Sequence, residues 1–149
     1  MQQVVGMWVG AMVFAVLAAA PAIADGPRIA QIKTASGEAS IVRGEARIAA
    51  KPGDALYVSD IIETGPSGTI GITFVDNTVF SAGPGSRLTV QEFRFDSSNF
   101  RGEMLANLRT GTLTVVSGDI TRSSPGAMKI ITPTSTLGVR GTTFAIRVY

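Results

Sequence analysis

The chain has 149 residues, 45% hydrophobic and 16% charged, which suits one domain with a real core and is far from the composition of disorder. Thirteen Lys and Arg stand among eleven acids without a run of like charge, so the formal +2 makes no phosphate-tracking stripe and nucleic acid is not an expected partner. The absence of Cys excludes disulfides, thiolate catalysis and Cys-ligated metal, and the absence of His removes the side chain that most often moves protons near neutral pH.

The first element is an export segment. Val4 to Ala20 is apolar and free of charge, Pro21 follows, and Ala22-Ile23-Ala24 places small residues where a signal peptidase reads them. A signal peptide over 1–24, cleaved after Ala24, is expected, and with it a periplasmic or secreted protein. Met1-Gln2-Gln3 lacks the usual basic residue. The alternative is an uncleaved inner-membrane anchor facing the periplasm, for which the apolar run is short. The membrane is then a partner only through this segment. No Cys follows the run to carry a lipid. Residues 25–36 read as an N-terminal extension, and 37–149 as one β domain.

From Gly37 onward, short alternating runs are separated by Gly, Pro, Asp and Asn every eight to twelve residues. Strands are expected at Ala39–Arg43, Ala46–Ala50 and Leu56–Val58. Ile70, Ile72 and Phe74 alternate with Gly71, Thr73 and Val75, and Thr78, Phe80 and Ala82 with Val79 and Ser81. Asp76-Asn77 between them predicts a hairpin with a two-residue turn. Leu88 and Val90 fall out of phase with Phe93 and Phe95, which predicts a bulge near Gln91-Glu92, since one residue of slip would turn the strand inside out. Asp96 to Gly102 is polar and reads as a flexible loop. Glu103–Arg109 has helix-favouring residues, but seven residues between glycines make a marginal helix, so it reads as strand. Thr112–Val116, Met128–Thr132 and Thr143–Val148 complete the series. The fold class is all-β, a single domain of short antiparallel or solenoid-like strands arranged as a roll or sandwich.

Three stretches carry a resemblance. They are Gly37-Glu-Ala-Ser-Ile-Val-Arg-Gly44; Pro52-Gly53-Asp54 through Ser59-Asp60-Ile61-Ile62-Glu63-Thr64-Gly65 to Phe74-Val75-Asp76-Asn77-Thr78; and Ile131-Thr132-Pro133 through Gly138-Val139-Arg140-Gly141-Thr142-Thr143-Phe144. In order and spacing they resemble the FecR domain family across Gly37 to Val148. Asp76-Asn77 stands where that family usually has Asp-Gly. The family's namesakes join a cytoplasmic anti-sigma segment, one transmembrane helix and a periplasmic domain that receives a signal from an outer-membrane receptor. Because the apolar segment begins at Val4, the sigma-factor role is not expected here. The resemblance implies a periplasmic or secreted β domain that binds protein; with the side chains present, the expectation is a module that recognises an envelope protein without cofactor, metal or catalysis.

Asp54, Asp60, Asp76 and Asp119 lie in turns and read as turn caps; no compact loop of alternating acids supplies the oxygens calcium needs. Gly138-Val139-Arg140-Gly141-Thr142 lacks the Lys and following helix of a phosphate loop and reads as a tight corner, with Arg140 paired to Asp60 or Asp76. Serine catalysis would need Lys33, Lys51 or Lys129, none of which sits in a recognisable motif. A carbohydrate or cell-wall site is the rival from another class, but the one Trp, Trp8, lies in the export segment and only Tyr57 and Tyr149 remain. The candidate partner contacts are Phe100, an apolar residue on a polar loop, and Phe144, Ile146, Val148 and Tyr149 on a last strand expected to be an unpaired edge.

Overall fold

The computed structural model describes residues 26–141 and 143–149. The expected signal peptide and its cleavage after Ala24 lie outside the described residues. The strands are β1 (Ala30–Ser36), β2 (Ala39–Arg43), β3 (Ala46–Ala49), β4 (Ala55–Leu56), β5 (Ile61–Thr64), β6 (Thr69–Phe74), β7 (Val79–Ala82), β8 (Arg87–Asp96), β9 (Arg101–Val116), β10 (Met128–Ile131), β11 (Thr136–Val139) and β12 (Thr143–Val148). One short helix, α1 (Asp119–Ser123), stands between β9 and β10.

The strands form one curled, hydrogen-bonded array folded into two layers, and β9 belongs to both. Its first half pairs with β8 on one side and, in parallel, with β10 on the other. Its second half pairs with β7 and with β12, both antiparallel. One layer continues from β8 through β5 and β2 to β3, and the other from β7 through β6 and β1 to β4. The layers face each other over one core. Phe74 of β6 stacks on Phe93 of β8 across it at 5.6 Å and meets Phe80 of β7 edge-on at 4.7 Å. Period-two alternation fills this core: Ile70, Ile72 and Phe74 point in from β6, Met104, Ala106 and Leu108 from β9.

The all-β architecture agrees with the sequence, and β2 and β12 have the expected bounds. The predicted bulge is present: Val90 pairs with Ala106 and Glu92 with Leu105, so Gln91 is the extra residue. It swings Phe93 and Phe95 into the opposite phase, and both are half-buried. Glu103–Arg109 is strand, but Gly111 does not end it. β9 runs on for 16 residues and turns the corner between layers at Gly111, whose φ is +94°. A β-carbon there would overlap Ser86, so the corner needs glycine twice over.

Other expectations are corrected. Residues 30–36, read as part of an extension, form β1 and bring Ile29, Ala30 and Ile32 into the core. Four residues, 75–78, separate β6 from β7, and the Phe74–Thr78 pair closes a loop of three, 75–77, where a two-residue turn was expected. The Asn77 amide donates to the Phe74 carbonyl at 3.0 Å, that of Phe74 donates to Thr78 at 2.8 Å, and Asn77 takes φ +67°. This is a type I turn closed by a left-handed residue, a role Asn fills in place of Gly. Of the strand expected at Leu56–Val58 only Leu56 is strand, paired with Ala55 before it in the two-residue β4. The loop read over 96–102 shrinks to residues 97–100, because Asp96 and Arg101, and Phe95 and Gly102, already pair across the hairpin.

Candidate partner-binding edge

The turn aspartates are engaged in holding the fold. Asp60, almost wholly buried, accepts two hydrogen bonds from Arg43 on β2, from Nε at 2.9 Å and Nη2 at 2.7 Å, and one from the Tyr57 amide at 3.0 Å. Arg43 Nη2 also donates to the Ala55 carbonyl at 3.2 Å, and the guanidinium lies 4.8 Å from the centre of the Tyr57 ring. Its hydrogen bonds to the Asp60 carboxylate, and that charge beside it, outweigh burial and hold Arg43 above the ordinary arginine pKa. The partner expected for Asp60 from the sequence was Arg140; the structure gives that place to Arg43, because β2 lies beside β5 whereas Arg140 follows β11 at the exposed surface. A cation also covers one face of Tyr57, one of the two aromatic rings left for a sugar site.

Asp76 is completely buried, and no cation among the described residues pairs with it. Its carboxylate accepts from the Thr78 amide at 3.1 Å, the Thr78 hydroxyl at 2.7 Å and the Ile120 amide at 3.3 Å, while its carbonyl accepts from the Asp119 amide at 2.8 Å. The β6–β7 turn is thereby docked on the start of α1, and Asn77 Nδ2 adds a bond to Asp119 at 2.9 Å. Backbones approach so closely that a β-carbon on Gly118 would overlap Asp76 and Thr78. Sequence reasoning missed α1: five residues carry too little helical pattern, and tertiary contact with Asp76 sets their conformation.

The candidate contacts fall in two places. Phe100 sits at the tip of the β8–β9 hairpin, 55% exposed and at φ +58°, a conformation that a bulky L-residue adopts only under constraint. The constraint is visible. Asp96 Oδ1 accepts from the amide and hydroxyl of Ser98, Asn99 Oδ1 accepts from the Arg101 amide, and the Ser123 hydroxyl of α1 donates to the Phe100 carbonyl. The Ser98 bonds hold the Asp96 carboxyl below the usual aspartate pKa. Residues 97–100 are thus a braced turn, in contrast to the expected flexible loop.

Phe144, Ile146 and Val148 lie on β12, half-buried with their side chains against the core, while Thr143, Ala145 and Arg147 alternate outward and Tyr149 is 100% exposed. Among the described residues β12 pairs only with β9, and β11 only with β10, so each leaves one edge free. A groove of about 390 Å³ opens between them, lined by Pro133, Thr134, Ser135 and Leu137 on one bank and by Ile146 to Tyr149 on the other. Phe100 is not among the residues that line this groove. A free edge offers unpaired amides and carbonyls, and a groove wall offers pockets for alternate side chains, which together can receive an extended peptide.

Among the described residues no group of three acids is placed to hold a metal ion, and no helix is long and apolar enough to cross a membrane. The family model described as FecR protein matches residues 60–149. Apart from α1 the regular structure of this stretch is strand, and it includes Asp60, the Asp76 turn, the β9 corner and both free edges, while Arg43, which clamps Asp60, precedes it. The chain belongs to the FecR family, a membership that points to a signalling-related module. No curated protein and no solved structure matches it.

Proposed function

We propose that this chain is a non-enzymatic module of the bacterial cell envelope, periplasmic or secreted, that recognises another protein through the free edge of β12. The observation that carries this reading is the state of that strand. Its apolar side chains are packed on the core, which fixes its position, while its outer backbone edge has no partner among the described residues. Strand addition to a fixed edge gives affinity through main-chain hydrogen bonds without any catalytic group. The engagement of Asp60 and Asp76 in structural hydrogen bonds supports the non-enzymatic part of the proposal.

The test uses the absence of Cys from the sequence. A single Ala145→Cys variant, at an outward position of β12, is labelled with a photocrosslinker and illuminated in an envelope extract. A Lys33→Cys variant on β1 serves as the control. Specific protein adducts from Ala145→Cys, absent from Lys33→Cys, are expected; equal labelling from both positions, or none from Ala145→Cys, overturns the proposal. Deleting the strand would be a weaker test, because Phe144, Ile146 and Val148 are part of the packing.

A further inference from the structure

Charge along the chain is sorted in a way that its total conceals. Residues 120–149 contain four of the thirteen Lys and Arg and none of the eleven acids, so the first 119 residues carry the acidic balance. Of those four, Arg122 reaches Asp119 at 3.5 Å, and Lys129 shares a depression with Glu92 and Glu103. Arg140, directly after β11, and Arg147, on β12, are exposed and enter none of the ion pairs of the described residues. Arg28, Lys33, Lys51, Arg101 and Arg109 also enter none of these ion pairs, but they stand in stretches of chain that carry acids, where Arg47 and Arg87 flank Glu63 and Arg94 meets Glu103. The two free edges therefore carry cations without acids, and the groove between them is lined by hydroxyls, apolar side chains and Arg147, with no carboxylate side chain in its wall.

We infer that the β12 edge takes an acidic, extended segment of a partner protein, in which acids and apolar residues alternate. The inference rests on the reading of β12 as the binding edge and adds the chemistry of what binds there. An added strand places one side-chain set over the apolar bank of Leu137, Ile146 and Val148, and the other beside Arg147. Opposite charge beside an exposed arginine gives modest affinity but steers the encounter and rejects basic segments. Salt weakens that preference, because Arg147 is solvent-exposed.

The probes are capped synthetic peptides of alternating Val and Glu, their Val-Lys counterparts, and Val-Glu peptides with alternate amides N-methylated, each titrated against the full chain. Val-Glu binding is expected to exceed Val-Lys binding about three- to tenfold at low salt, to vanish on N-methylation, and to reverse its preference in Arg147→Glu. Arg147→Lys, which keeps the charge, should retain the preference, and both variants should keep the circular dichroism of the parent. Equal affinity for Val-Glu and Val-Lys, both lost on N-methylation, would overturn the acidic partner and leave the edge standing. Binding indifferent to N-methylation, matched by binding to phosphatidylglycerol vesicles, would overturn both in favour of a general anion surface. No binding of either peptide would also overturn the inference.

Discussion

Two parts of this molecule treat polar groups in opposite ways. Between β5 and α1, polar side chains turn inward and are satisfied there. Asp60 is clamped by Arg43, and Asp76 gathers amides from two segments. Thr64 receives the Ser86 amide at 2.9 Å and donates to the Gly83 carbonyl at 2.7 Å. Between β11 and β12, backbone edges face outward and Arg140 and Arg147 pair with no acid among the described residues. Buried polar groups with all their partners specify a fold, whereas open edges with uncompensated charge specify an encounter. The same chain thus separates the residues that make it one structure from those that meet another molecule.

The comparison can be broken most directly at Asp76. Asp76→Ala leaves the Thr78 amide, the Thr78 hydroxyl and the Ile120 amide without their acceptor in a buried site. A loss of about 2–4 kcal/mol is expected in denaturant unfolding. Asp76→Asn, which keeps one oxygen, should lose less. A loss below about 1 kcal/mol would mean that the turn is not held as described.

A smaller effect of opposite sign is expected at Phe100. Its side chain is mostly exposed while its backbone holds a left-handed conformation that Gly adopts without cost. Phe100→Gly should therefore raise stability by up to about 1 kcal/mol in the same unfolding measurement. If the variant also loses partner crosslinking at β12, Phe100 joins the contact surface; if it does not, the surface is confined to the edges.

The smallest effect is the response of the β8–β9 turn to acid. The Ser98 hydrogen bonds depress the Asp96 pKa, so the folded form holds the carboxylate ionised more firmly than the unfolded chain does. That contribution is fully present above the ordinary aspartate pKa and fades as pH falls through the lower folded value. An NMR titration should show the Ser98 amide shift moving only below about pH 4, while the Gly83 amide, which donates to the Thr112 carbonyl and has no acid as a chain neighbour, stays in place through that step.

Much of this was legible in the residue order. Alternation at Ile70, Ile72 and Phe74 identified a half-buried strand because a strand's faces alternate with period two. The phase slip between Val90 and Phe93 located the bulge for the same reason. Turn aspartates declared themselves as caps beside Gly, Ser and Asn, and the absence of acids after Asp119 was there to be counted, although it gained meaning only when Arg140 and Arg147 fell on free edges. What the sequence by itself determined is local: which residues extend, where they turn, and which family the pattern resembles. Tertiary structure decided the pairings across distance. Arg43, seventeen residues from Asp60, displaced Arg140 as its partner; Gly111 became a corner of β9 where a break was expected; Asp76 met α1 forty-four residues on. Periodicity encodes which side of a strand is apolar, but the neighbour across each edge follows from how the whole sheet curls around one core, and no local run of residues contains that information.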